Sequence, residues 1–488
     1  MLGFNVLTIN SLLQSFFAVS KAESIIKPQE ANTIHQPITV IGAGLAGTEA
    51  AFQITNRGWP VHLWEMRPSH TTPAHQTDRF AELVCSNSLK SERPDSAPWL
   101  LKEELRRIGS LSMEAASNAR VPGGQALTVD RDLFAAYITE EIEHNPLIEI
   151  IRREVSQIPI DQVTVIASGP LTSDSLANAI VALTGSERLF FYDAISPIVE
   201  AETVNMGIAF RASRWGRSID GTDDYLNCPM DRSEYERFYQ ALIEAKQHKG
   251  HDFENPNYFE SCLPIEELGR RGVDTLRFGP MKPVGLRDPR TGNVPYAVVQ
   301  LRQEDLRAGS YNLVGFQNYL RYPEQKKILR MIPGLEEAEF LRFGQIHRNT
   351  YINGPELLTS ALELRSNPNI FFAGQIAGVE GYVESMAGGL MAGRNAVRRV
   401  KGLKTVTWPR TTAHGALAHY ISGANPNNYQ PANITFDLLP PLSVDEPIHI
   451  RRNKTTRRKR QCEVALESLD HFLKEEKMAL SGSVNAVV

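Results

Sequence analysis

The stretch "ITVIGAGLAGTEAAFQITNRGWPVHLWEMRP", residues 38–68, decides the fold. It reads as an apolar strand, a glycine turn, a helix, a break at Gly58, a second strand and an acidic end, which together make one complete βαβ opening. Gly42, Ala43, Gly44, Leu45, Ala46 and Gly47 form the turn and the helix start. The three glycines supply a tight turn, a close approach of backbone to pyrophosphate and a close helix–strand contact, and the helix N-terminus faces the phosphates. Glu65 closes the second strand 23 residues after Gly42, where a carboxylate can hold a ribose hydroxyl. The pattern predicts a dinucleotide site.

Which dinucleotide is decided far downstream. "NIFFAGQIAGVEGYVESMAGGLMAGRNAVRRV", residues 369–400, reads as a buried strand, a glycine loop and a small-residue helix able to approach another backbone closely. In FAD-type Rossmann proteins such a segment returns to the cofactor, and its helix N-terminus can stabilise the negative charge of reduced flavin. Gly374, Gln375 and Gly381 are the expected contacts there. A second GxGxxG between the two segments is missing, which argues against the two-nucleotide-domain layout of disulfide reductases. FAD is the expected resident cofactor.

Composition sets the outer bounds. A chain of 488 residues with 42% hydrophobic content can bury a large core. Four cysteines, at 85, 228, 262 and 462, are too few and too dispersed for a disulfide framework, and none has metal-ligand spacing, so no metal is expected. A reducing cytoplasm is the expected compartment. The net charge of −4 does not suggest a nucleic-acid binder, yet "RRNKTTRRKR" at 451–460 packs seven cations into ten residues. Such a run is either a local phosphate-binding patch or the solvated face of a C-terminal helix. Residues 1–35 are read as an N-terminal extension: they lack the basic start of a signal peptide, and their apolar run of about ten residues is short of the ~20 that a bilayer requires. No membrane association is expected.

The remaining blocks resemble one family. They include "TPAHQTDRFAELVCSNSLKS" (72–91), "ALTVDRDLFA" (126–135), "DYLNCPM" (224–230), "FESCLPIEELGRRG" (259–272), "LRFGPMKPVGL" (276–286), "YAVVQLRQED" (296–305) and "HRNTYIN" (347–353). In this order they resemble TrmFO, the folate- and FAD-dependent tRNA uridine-5-methyltransferases, over about residues 37–440. The resemblance implies that methylenetetrahydrofolate donates one carbon, that NADH or NADPH reduces FAD, and that tetrahydrofolate is released. The product would be ribothymidine at position 54 of the tRNA T-loop, with tRNA as partner and no stable protein partner implied.

C5 of uracil becomes nucleophilic only after something adds to C6, and a thiolate is the usual adder. The family's two functional cysteines match Cys85 in "LVCSNS" and Cys262 in "ESCLPIEE". The resemblance assigns Cys262 to uracil C6 and Cys85 to the one-carbon unit carried by the flavin. Cys228 is a third candidate, for which packing is favoured, and Cys462 sits in a divergent tail.

Other residues carry two readings each. Glu266 and Glu267 are either proton acceptors for the C5 hydrogen or a solvated helix start. Lys282, Arg270, Arg271 and Arg302 either hold phosphates or the folate tail, or serve the surface and packing. His347 and Arg348 are placed near the cofactor or in a structural role, and Tyr382 in a stack or in the core. "VPGGQAL" at 121–127 departs from the family pattern at Gln125, which would matter if that loop lined the flavin.

The expected architecture is α/β: a FAD-binding Rossmann-type domain, similar to GidA/MnmG, from residues 36–185 and 331–440, interrupted by an α+β insertion at 186–330 and followed by a basic tail with a helix at 441–488. The rival functions are an MnmG-like modification of a wobble uridine, a small-molecule flavin oxidoreductase and a non-catalytic tRNA-binding protein.

Overall fold

The strand Ile38–Ile41 is buried along its whole length, Thr39 included, as a central parallel strand requires. It pairs in parallel with Val61–Glu65 on one side and Thr164–Ile166 on the other. The full sheet runs Glu363–Leu364, Asn367–Phe372, Thr164–Ile166, Ile38–Ile41, Val61–Glu65, Ile148–Arg152, and only the first pair is antiparallel. The architecture is therefore the Rossmann-type α/β sheet that the βαβ opening predicts. The computed structural model describes residues 35–72, 74–186, 189–219, 221–247 and 263–482, with the side chains of 191–193, 346–348 and 479–482 excepted. Residues 1–34, nearly all of the expected N-terminal extension, lie outside the described residues, and so does Cys262.

Two helices hold the sheet from one face. Leu45–Thr55 follows the glycine turn, and the late helix Tyr382–Val400 packs across it. Close approach requires the small residues seen in the sequence: a Cβ on Gly389 would run into the carbonyl of Ala46, and one on Gly393 would stand 2.6 Å from that of Ala50. Any larger side chain at either position would push the helices apart.

A second lobe is built on an antiparallel sheet, ordered Phe210–Arg211, Tyr225–Met230, Ala297–Gln303, Ser310–Leu313, Ile198–Glu200, Phe340–Arg342. Its core is separate, with Val199, Leu226, Cys228, Tyr235, Phe238, Val299 and Leu313 among its members. The helix Arg232–Glu244 covers it and starts with a reciprocal cap, Asp231 to the Glu234 amide and the Glu234 side chain back to the Asp231 amide. The sequence reading returns to the nucleotide lobe at residue 331. Ile332, Leu335 and Ala338 instead belong to the second core, because the chain completes the antiparallel sheet with Phe340–Arg342 before it recrosses. The crossing is a two-stranded ribbon of Leu189–Ala194 and Ile346–Tyr351.

The tail is more integrated than a linker. Its helix Lys454–Gly482 begins inside the basic run and inserts Cys462, Ala465 and Leu469 into the first core. The Glu476 carboxylate pairs with the buried Arg394 of the late helix.

Candidate active site and cofactor pocket

The glycine turn opens on a cavity of about 430 Å³. Gly42, Gly44, Leu45, Ala46 and Glu65 line it together with Cys85, Gln375, Gly381 and Tyr382. Gly42 sits at φ +98°, and a Cβ on it would lie 2.6 Å from the Ala167 carbonyl, so the turn admits only glycine. Around Gly44 a Cβ would meet nothing within 4 Å, which leaves the backbone open to a ligand. Ala43, Gly47 and Gly374 shape the pocket from behind. The Ala43 amide donates to Glu65 Oε2 at 3.0 Å. Gly47 packs on the Gly42 carbonyl, and Gly374, at φ +77°, on Ala46.

Glu65 is buried, which opposes its ionisation, but Arg67 outweighs that by donating from Nε at 2.9 Å and from its amide at 3.0 Å. The carboxyl accordingly sits below its ordinary value. Beside it, burial and then Arg67 push His75 down to about 4, so the ring is neutral at pH 7.

Cys85 stands on a loop held from three sides. The Tyr382 hydroxyl accepts from the amides of Cys85 at 2.7 Å and Ser86 at 3.1 Å. Arg131 donates to the carbonyls of Leu83 at 2.9 Å and Cys85 at 3.2 Å, and pairs with Glu304 of the second lobe at 2.6 Å. Arg302, also from the second lobe, donates to Ser86 Oγ at 2.8 Å and Asn87 Oδ1 at 2.9 Å. Asn87 is fully buried and donates to the Gln303 carbonyl at 2.8 Å. Arg131, Arg302 and Arg342 all interact electrostatically with the Cys85 thiol. The partly exposed thiol therefore stands among positive charges.

Just beyond, Lys90 has a left-handed backbone, φ +63°. The conformation is pinned by the fully buried Lys102, whose Nζ donates to the carbonyls of Leu89 at 2.7 Å, Lys90 at 3.2 Å and Ser91 at 2.7 Å. Burial lowers the Lys102 ammonium to about 8. Lys90 Nζ in turn reaches Glu384 on the first turn of the late helix at 2.8 Å, and Asn433. Lys90 and Asn433 both line the cavity.

The remaining sequence candidates divide. Tyr382 packs against the first core and also lines the pocket, and burial followed by its proximity to Cys85 raises its phenol. Arg302 spends two of its nitrogens on the Cys85 loop instead of on a phosphate. Glu266 is not solvated: it is buried, accepts from the Tyr319 amide at 2.7 Å, and is pushed up to about 7 by burial. Glu267 pairs with Arg270. Neither glutamate lines the cavity. Lys282 and Arg271 are exposed. The side chains of His347 and Arg348 lie outside the described residues. Burial raises the thiols of Cys228 and Cys462 to about 12, leaving both as packing groups. The loop at 121–127 packs on the second lobe, where Gly124 meets the Tyr225 ring and its amide donates to Asp224 at 2.6 Å, and it does not line the pocket. Among the described residues no cluster of His, Cys, Asp or Glu could hold a metal.

Cys262 lies outside the described residues, but the chain that follows it is placed. Leu263 and Pro264 are buried, and the Ile265 amide donates to the Gln317 carbonyl at 2.7 Å. Gln317 lines the cavity that Cys85 lines. The residues that sequence reading passed over are Lys90, Asn87, Arg131 and Glu304. Asn87 and Lys90 stand in the same short block as Cys85, and that proximity was the one signal available.

Residues 37–404 match the family described as glucose inhibited division protein A. The chain is 63% identical over 438 residues to methylenetetrahydrofolate–tRNA-(uracil-5-)-methyltransferase TrmFO of Solibacter usitatus, covering 90% of this chain and 98% of that one. This chain belongs to the TrmFO family. A TrmFO protein of Koribacter versatilis is 59% identical over 438 residues, covering 89% of this chain. Among solved structures, Aquifex aeolicus GidA superposes with a TM-score of 0.63 at 15% identity, over 93% of this chain and 77% of that chain. At that identity the likeness speaks for the fold, and it agrees with the Rossmann-type sheet of this TrmFO member. The pocket fits FAD, the cofactor expected of the family: an open backbone at Gly44, a carboxylate at Glu65 and a helix start at Gly381 line one space. Among the described residues no helix is long and apolar enough to cross a membrane.

Proposed function

We propose that this chain methylates C5 of a uridine in tRNA, with methylenetetrahydrofolate as carbon donor and FAD as the bound redox cofactor. The target is the T-loop uridine at position 54 and the product ribothymidine. A C5–H bond is replaced by C5–CH₃, the hydrogen leaving as a proton. The transferred carbon is reduced from the methylene to the methyl level by two electrons from NADH or NADPH, and tetrahydrofolate is released unoxidised. FAD, when bound, supplies the route by which those electrons reach the carbon.

The observation that carries this reading is the cavity itself, which presents Cys85 to the same space as the glycine turn and the start of the late helix. In that space Gly42, Ala43, Gly44, Leu45, Ala46 and Gly47 hold a pyrophosphate, Glu65 a ribose, and Gly374, Gln375 and Gly381 the flavin end. Cys262 adds to uracil C6, which makes C5 an enolate carbon, and is expelled again when the C5 proton leaves. Cys85 faces the one-carbon unit. Arg131, Arg302 and Tyr382 keep its loop in place and its surroundings positive. The chain that follows Cys262, tied to Gln317 at the cavity wall, supports this assignment of the second thiol. The working lobes are a nucleotide lobe of residues 36–185 and about 346–440 and an insertion between them.

The test is mass spectrometry of nucleosides from unmodified tRNA incubated with the protein, FAD, NADH and methylenetetrahydrofolate labelled in its one-carbon unit. Labelled ribothymidine at the T-loop, lost in Cys262→Ala and Cys85→Ala, is the expected result. Label at a wobble uridine, or NADH oxidation with no label in tRNA, would replace this reading with the MnmG-like or oxidoreductase alternative.

A further inference from the structure

Trp215 is 64% exposed and belongs to neither hydrophobic core. It is nevertheless held firmly. Its backbone is left-handed, φ +59°, and its amide donates to the Gly285 carbonyl at 2.9 Å. The preceding Arg214 donates to the Val284 carbonyl at 3.0 Å and to Gln300 Oε1 at 3.0 Å. The indole lies against Gly285, where a Cβ would come within 2.8 Å of Nε1. A strained backbone that fixes an exposed aromatic adds little to folding, and strain of this kind collects at functional sites.

The surroundings are cationic. Arg217, on the same turn, and Lys282 and Arg287, on the segment under the ring, are exposed. Of the nearby acids among the described residues, Asp223 accepts from the Ser213 amide at 3.2 Å, Asp224 is buried, and Asp288 pairs with Arg290 at 2.6 Å. The turn also connects to the Cys85 loop through the second sheet. Ile219 bonds Gly124 at 3.0 Å, Tyr225 packs on Gly124, and Tyr225 pairs in register with Arg302, which holds Ser86.

We propose that Trp215, with Arg217 and Lys282, is a base-stacking and phosphate-binding platform for the tRNA outside the reacting uridine. This rests on the tRNA reading above. A uridine drawn out of its loop leaves neighbouring bases unstacked, and a fixed aromatic face beside cations is the surface that receives one. Phosphates give the cations their partners without reading sequence.

The experiment compares full-length flavin-loaded wild type, Trp215→Ala, Trp215→Phe and the double variant Arg217→Ala/Lys282→Ala for affinity toward an unmodified tRNA transcript over a range of salt. Trp215→Ala should bind about tenfold or more weakly, and Trp215→Phe should stay within about threefold of wild type, since a phenyl ring still stacks. The double variant should flatten the plot of log affinity against log salt by about 1.5. Trp215→Ala binding like wild type, or Trp215→Phe as weak as Trp215→Ala, would overturn the platform while leaving the enzyme's function untouched. A wild type that does not hold tRNA at all would sink the functional reading and this one with it.

Discussion

At the scale of single residues, the role proposed for Cys85 depends on what surrounds the thiol. Arg302 both anchors its loop and adds positive charge, so Arg302→Ala should slow alkylation of Cys85 by iodoacetamide at pH 7 by about tenfold. Arg302→Lys, which keeps the charge but lacks the planar fork that holds Ser86 and Asn87, should recover part of the rate; mass spectrometry of the alkylated peptide reads both. Glu266 gives a pH prediction. Its folded carboxyl titrates near 7 because burial disfavours the charge, against an ordinary 4.5. The folded state thus holds the proton more tightly, and stability falls as pH climbs from about 4.5 to about 7, by roughly 3 kcal/mol if the full shift is expressed. Glu266→Gln should remove that slope, and denaturant midpoints at pH 5 and pH 8 would show it; an unchanged slope would mean that another group carries the dependence. The thiol at 85 was singled out in the sequence by the family block that holds it, "LVCSNS". The partners of Arg302 and the burial of Glu266 were not legible there, because a charged residue's type does not say what the fold will place against it.

At the scale of elements, the glycines separate into two kinds that one pair of variants distinguishes. Gly389 is needed for the late helix to lie on the glycine-turn helix, so Gly389→Ala should cost about 1–3 kcal/mol by forcing the helices apart. Gly44 has an ordinary φ of −77° and open space around it, so Gly44→Ala should leave the flavin-free melting temperature nearly unchanged while reducing flavin retention. Thermal unfolding of stripped protein, set beside flavin content on purification, checks both. These elements were readable because spacing reports them directly: a glycine turn between strand and helix, and small residues at helical intervals. The left-handed Lys90 was not readable, since lysine is not the residue expected there and the cause, the buried Lys102 ammonium, comes from the next helix.

At the scale of the whole molecule, two hydrophobic cores meet through a few polar ties, among them Arg131 to Glu304 and Asn87 to Gln303. Removing Glu304 leaves the largely buried Arg131 without its carboxylate, and Glu304→Ala should lower stability by about 3 kcal/mol, measured as a denaturant midpoint. The division into lobes could be inferred from motif order. The point of return could not, because edge strands as short as Phe340–Arg342 leave little periodicity to read. The origin of the tail helix, by contrast, has consequences for synthesis. Among the described residues the second core draws only on those between Val199 and Phe340, and it can condense while later codons are still being translated. The first core takes Leu469 and the Glu476 contact from near the chain's end. On the ribosome, the insertion lobe is thus free to fold before the domain that encloses it.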